Sequence, residues 1–119
     1  MAKKKRNPTH IRSSCPVACL LDLVGDKWTL LIVRDLLLGK SRYGEFHDSS
    51  EGIPTNILAN RLKRLHDEGI VMKQVYQTRP ERFEYVLTEK GRDLGPVVKA
   101  CVFWGETHVA GSKAFEKKS

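Results

Sequence analysis

At 119 residues, 40% of them apolar, the chain has material for one modest core but not for a deeply enclosed catalytic pocket. Its formal net charge of +7 is concentrated, because residues 1–12 hold five of the 21 bases (Lys3, Lys4, Lys5, Arg6, Arg12) and none of the 14 acids. The body keeps 16 bases against 14 acids, only +2, so its partner has to be read from where its charges sit.

No apolar run approaches the ~20 residues of a membrane span, and none follows Met1 as a signal peptide would. The expectation is a cytoplasmic protein with no membrane partner. Three cysteines, an odd number without an export signal, argue against a disulfide framework. Together with four scattered histidines they make no paired zinc spacing, so no metal and no other cofactor is expected.

Residues 1–13 read as a disordered basic tail, suited to phosphate and equally to plain disorder. Residues 14–112 read as the folded domain and 113–119 as a flexible end. Pro16 opens a first helix, with Cys15 beside its free amides and Val17, Leu20, Leu21 and Val24 as its apolar stripe. Gly25 ends it. Asp26 is placed to cap a second helix, Lys27 to Leu38, apolar on most sides and therefore central. Gly39 stops that helix. Ser41 is placed to cap a short third one, with Tyr43 and Phe46 as inward anchors.

After the polar turn Asp48–Gly52 comes the stretch from Pro54 to Gly69. Pro54 presets φ, Thr55 is placed to cap the first amides, and Gly69 suits a left-handed stop. Leu58, Leu62 and Leu65 share one face. The opposite face carries Thr55, Asn56, Ala59, Asn60 and Lys63, with Arg64 at its margin, and acids enter only at Asp67 and Glu68. Amides suit bidentate pairing with adenine, and Lys or Arg suits guanine or phosphate. A solvated amphipathic helix would show the same pattern in isolation. Two helices joined by a Gly-containing turn, the second amide- and base-rich, form a helix-turn-helix unit.

The period then changes to two. Ile70–Tyr76 and Arg82–Leu87 read as strands, and Thr78-Arg79-Pro80-Glu81 as the turn between them. A hairpin after a helix-turn-helix is the winged-helix arrangement, and Arg79 and Arg82 stand where a wing meets the phosphate backbone; guarding an exposed hairpin edge is their other use. Thr88 is placed to cap a last helix with Leu94, Val97, Cys101, Trp104 and His108 in steps of 3, 4, 3, 4. That is a narrow seam of the kind that pairs helices, so it reads as a dimer interface. Partial packing onto the first two helices is the alternative. The fold class is α+β, mainly α: a winged helix-turn-helix domain with a C-terminal dimerisation helix.

Cys15-Pro16-Val17, Gly25-Asp26-Lys27-Trp28-Thr29-Leu30-Leu31-Ile32, Arg34-Asp35-Leu36-Leu37, Gly52-Ile53-Pro54-Thr55-Asn56, Arg61-Leu62-Lys63, Glu84-Tyr85-Val86-Leu87-Thr88 and Trp104-Gly105 occur together. In that combination the chain resembles the HxlR family of bacterial transcriptional regulators, relatives of the MarR winged helices, over roughly residues 15–108. The resemblance implies a homodimer on an inverted-repeat operator in double-stranded DNA near its own promoter. For some members it also implies sensing of small electrophiles or oxidants through a cysteine in the position of Cys15. One departure is Glu81, which stands where the family often has a second proline and puts an acid beside the wing's phosphate contact.

The chemistry expected from the residues has three parts. The amide-rich helix reads bases, while Arg79 and Arg82 on the wing, with Ser41, Arg42 and Tyr43 at a helix N-terminus, hold phosphates. Cys15, near His10 and Arg12 and beside a helix's first turn, is the candidate sensor thiol. Small buried hydrophobes are the other reading of all three cysteines. No phosphate-binding glycine loop, HExxH or nucleophile-elbow pattern supports an enzyme, and His47 and His66 read as surface residues. The competing class is a winged-helix protein-interaction module without specific DNA binding, which acids at positions 56, 60 or 63 would have favoured.

Overall fold

A computed structural model describes residues 13–113; the tail expected over 1–13 and the end expected over 113–119 lie almost wholly outside the described residues. Helix α1 spans Pro16–Val24 with Pro16 in its first turn, as the proline's preset φ and missing N–H dictate. Its stripe differs from expectation. Leu23 and Val24 are buried with Leu20 packed beside them, whereas Val17 and Leu21 are exposed at 65% and 49%. The two pairs lie on different edges of the helix, and only the edge through Leu20 meets the rest of the chain.

Helix α2 spans Thr29–Leu37. The Asp26 carboxylate accepts the N–H groups of Trp28 at 3.0 Å and Thr29 at 3.1 Å and the Thr29 hydroxyl at 2.5 Å. The expected cap is thus present, placed two residues before the helix's own N-cap, Trp28. Ile32, Val33 and Leu36 are buried, which makes α2 the centre of the core. Asp35 is buried too, held by Arg34 Nε and Nη2 at 3.0 and 2.8 Å and by the hydroxyl of Ser49. Arg34 Nη1 and Nη2 also reach Glu51 at 3.0 and 2.8 Å, so α2 is tied to the turn before the next long helix. That guanidinium holds the Glu51 carboxyl below the usual carboxylate range.

Helix α3 spans Tyr43–His47 and α4 spans Thr55–Asp67. Two caps differ from those expected. Arg42, not Ser41, is the N-cap of α3, and Pro54, not Thr55, is that of α4, where Thr55 is the first helical residue and makes no side-chain cap. Leu58, Leu62 and Leu65 are fully buried, and Gly69 takes φ +76°. The Ile70 N–H closes back on the Leu65 carbonyl at 2.9 Å, which ends the helix and starts the sheet.

Strands β1 (Val71–Thr78) and β2 (Glu81–Leu87) pair antiparallel with a bulge at Tyr76, and the turn is Arg79–Pro80. Arg42 bridges to Glu84, and the Tyr85 N–H donates to the Ser41 carbonyl at 2.7 Å, so the residues before α3 line the wing's outer edge. The single last helix expected after Thr88 is two: α5, Glu89–Arg92, and α6, Gly95–His108. Pro96 has no N–H for the carbonyl four residues back, so one continuous helix cannot run through it. Thr88 caps α5 by accepting the Gly91 N–H at 3.0 Å. The architecture is a mainly helical winged helix-turn-helix, and none of its helices is long and apolar enough to cross a membrane among the described residues.

Candidate nucleic-acid interface

The burial of Leu58, Leu62 and Leu65 turns the other side of α4 outward. Thr55, Asn56, Ala59, Asn60 and Lys63 are all exposed there. Lys63 meets Asp67 one turn on, Nζ to Oδ2 at 2.8 Å, so the acid at the far end partly neutralises the base expected to read or grip. Arg64 does not join this face. Its guanidinium turns back to donate to the backbone carbonyl of Asp22 near the end of α1, and the residue is half-buried. At about 100° per residue it sits on the flank nearest α1, and an available carbonyl there captures it.

Arg61, which the helical spacing leaves unassigned, lies on the same flank. Its Nε donates to Asp26 Oδ2 at 3.0 Å and its Nη1 to the side-chain oxygen of Asn60 at 2.5 Å. Burial pulls the Asp26 carboxyl upward, but hydrogen bonds from Thr29, Arg61 and the amides of Trp28 and Thr29 outweigh it and lower the pKa to about 2. Asp26 is 35 residues from Arg61, beyond the reach of any local spacing rule.

The three residues expected to hold phosphate at the start of α3 have different surroundings. The Glu45 carboxylate accepts the N–H groups of Ser41 at 3.0 Å and Arg42 at 3.1 Å, so an acid already occupies that helix N-terminus. Ser41 donates its hydroxyl to Glu84 at 3.3 Å. Tyr43, expected to point inward, is exposed, and its hydroxyl donates to the Thr55 carbonyl at 2.9 Å, while Phe46 alone is the buried anchor. Arg42 is exposed with its guanidinium stacked 3.8 Å from the ring centre of Tyr76 on the wing. Arg79 and Arg82 are exposed at the wing's tip. Lys73, another base that local spacing leaves unassigned, lies 4.2 Å over the Phe83 ring in the same hairpin.

Away from this face, Cys15 is exposed at the N-cap of α1. The N–H of Ala18, then that of Val17, stabilises its thiolate and lowers its pKa. His10 and Arg12 lie outside the described residues. Cys19 is half-buried and its thiol donates to the Ser13 carbonyl at 3.4 Å, and Cys101 is exposed on α6. No group of three or more His, Cys, Asp or Glu among the described residues is placed to hold a metal ion.

The expected dimer seam divides in two. Leu94 is buried in its own chain's core and cannot also face a partner, and Val97 is half-buried against that core. Cys101, Trp104 and His108 are exposed, with the Trp104 and His108 rings 5.1 Å apart. Pro96, Val97, Ala100, Cys101 and Trp104 line an open apolar hollow of about 640 Å³. Phe103, outside the seam, is 74% exposed.

The sequence profile described as HxlR-like helix-turn-helix matches residues 23–113. An HTH-type transcriptional regulator of Synechocystis sp. is 37% identical over 105 residues, covering 88% of this chain and 73% of the relative. The redox regulator HypR in its oxidized form is similar in structure, with TM-score 0.72 and 36% identity over 85% of this chain and 100% of that one. A MarR-family protein from Porphyromonas gingivalis aligns with TM-score 0.72 and 29% identity over 90% of this chain and 100% of its own.

Proposed function

The chain belongs to the HxlR-like helix-turn-helix family of transcriptional regulators, and on that premise we propose that it is a homodimer reading an inverted-repeat operator. In this reading α4 enters the major groove, and Asn56 and Asn60 reach base edges. The wing arginines Arg79 and Arg82, with Arg42 beside them, grip the backbone on either side. The observation that carries the proposal is the exposed face of α4 from Thr55 to Asn60, which is amide-bearing and without acids. Arg42 adds to it, since this exposed cation stacked on the half-buried Tyr76 ring keeps its charge at the surface.

The test is fluorescence anisotropy with DNA from upstream of the gene and with a scrambled duplex, at several salt concentrations. Tighter binding to the upstream DNA is expected. Equal affinity for the two duplexes would overturn the operator reading in favour of a protein-interaction module.

A second reading rests on Cys15. Its exposure and lowered pKa support a thiolate to which a small electrophile or oxidant can add, and the similar HypR is named a redox regulator. The addition would loosen the operator complex by altering α1, whose exposed Val17 and Leu21 are suited to a second chain.

A further inference from the structure

Arg61 joins two parts of the molecule that the operator reading treats separately. On one side its Nε is held at 3.0 Å by Asp26, which is itself fixed by the amides of Trp28 and Thr29 and the Thr29 hydroxyl. On the other, its Nη1 donates to Asn60 Oδ1 at 2.5 Å. The guanidinium is a planar fork, so a fixed Nε also fixes where Nη1 points. The carboxamide of Asn60 then has one orientation: its oxygen toward Arg61 and its NH2 group on the other arm.

We propose that Arg61 is a positioning residue that makes Asn60 a hydrogen-bond donor on the reading face, selecting guanine over adenine at the base Asn60 meets. The inference rests on the operator reading above and specifies its chemistry. Pairing an asparagine with adenine needs the side-chain oxygen to accept from the N6 amino group while the NH2 donates to N7. Here that oxygen already takes a charged donor. Its second lone pair remains, but an amino group approaching it would meet the guanidinium's positive charge and N–H groups. Guanine shows two acceptors, O6 and N7, in the major groove and no donor. An NH2 group beside a cation complements that edge. The residue that decides the preference is therefore one position along from the residue that would touch the base, on the flank of the helix and 22% exposed.

The experiment has two arms. In the first, each base pair of an operator half-site is replaced in turn, and the position read by Asn60 is the one whose preference disappears in Asn60→Ala. Guanine should be preferred to adenine there by about tenfold, falling below about threefold in Arg61→Lys, whose single ammonium cannot span both partners. Adenine preference at that position, or an undiminished guanine preference in Arg61→Lys, overturns the proposal. In the second arm, side-chain amide relaxation is measured by NMR in the DNA-free protein. The Asn60 carboxamide should be ordered on the ps–ns timescale and become mobile in Arg61→Lys. Equal mobility in the two proteins also overturns it. An ordered Asn60 in a protein that prefers no DNA sequence would instead sink the operator reading and the guanine assignment with it, while upholding the Arg61 tie.

Discussion

Asn56 and Arg79 make opposite demands on DNA. Asn56, exposed in the first turn of α4, is proposed to meet a base, so Asn56→Ala should cost ~1–3 kcal/mol on the preferred site and little elsewhere. Arg79, exposed at the wing's tip, is proposed to meet a phosphate, so Arg79→Ala should weaken binding on every sequence alike. Two copies in a dimer would flatten the log–log salt dependence by about 1.8, at about 0.9 per phosphate contact. Anisotropy titrations from low to high salt separate the two outcomes. Cys15→Ser, titrated in the same way, should retain DNA affinity and lose any response to diamide; an unchanged response eliminates Cys15 as the sensor. The exposed amide-bearing face of α4 was legible at this scale because amides and leucines alternate with the helical period. The fates of Arg61, Arg64 and Arg42 were not. Their partners, Asp26, the Asp22 carbonyl and the Tyr76 ring, lie 35, 42 and 34 positions away, and only the packed fold brings them within reach.

At the scale of elements, two junctions carry more than their length suggests. Asp26 joins the start of α2 to α4 through one carboxylate. Its pKa of about 2 lies below the ordinary 3.8, so the stability it confers is present above about pH 4 and is lost as pH falls toward 2. Asp26→Asn cannot titrate. The gap between its urea midpoint and that of the unaltered protein should therefore narrow between pH 5 and pH 2; a gap that stays constant would show the carboxylate's charge to be irrelevant. The other junction is Gly91 in α5. A Cβ there would stand 2.1 Å from the Ile70 carbonyl oxygen, a backbone atom that cannot swing aside. Gly91→Ala should destabilise the fold by ~1–3 kcal/mol, read as a lower urea midpoint with unchanged slope. Nothing in the pattern around Gly91 announces this contact. The elements themselves were nearly all visible, because glycines at 39 and 69 stop helices in the left-handed region and the period changes to two after Ile70. The break in the last helix is hidden by the 3, 4 spacing of Leu94, Val97, Cys101 and Trp104, which runs on across Pro96.

The whole molecule leaves apolar surface on two helices. Val17 and Leu21 on α1, with Phe103 and Trp104 on α6, are all about half exposed or more. A second copy of the chain is the proposed cover. Light scattering at micromolar concentration should give the mass of two chains, and the mass of one would reject the assembly. Trp104→Asp should yield monomers and lose operator binding in the same step, since one half-site offers half the contacts.

The root of the wing adds a geometric consequence. Thr88 bonds the carbonyls of Gly69 and Ile70, Lys90 bonds that of Glu68, and Arg92 bonds that of Leu87. The end of α4, the base of the hairpin and the start of the C-terminal helices are thereby riveted at one point. In the proposed dimer such a body is a lever pivoting on α6. A rotation of about 3° in each protomer, on an arm of about 30 Å, the diameter of a small domain, moves each reading helix about 1.6 Å and changes their separation by about 3 Å. One base-pair step is about 3.4 Å. The protein would then measure the spacing of its half-sites as an angle between two helices, and a few degrees of slack would separate an operator from the same operator lengthened by one base pair.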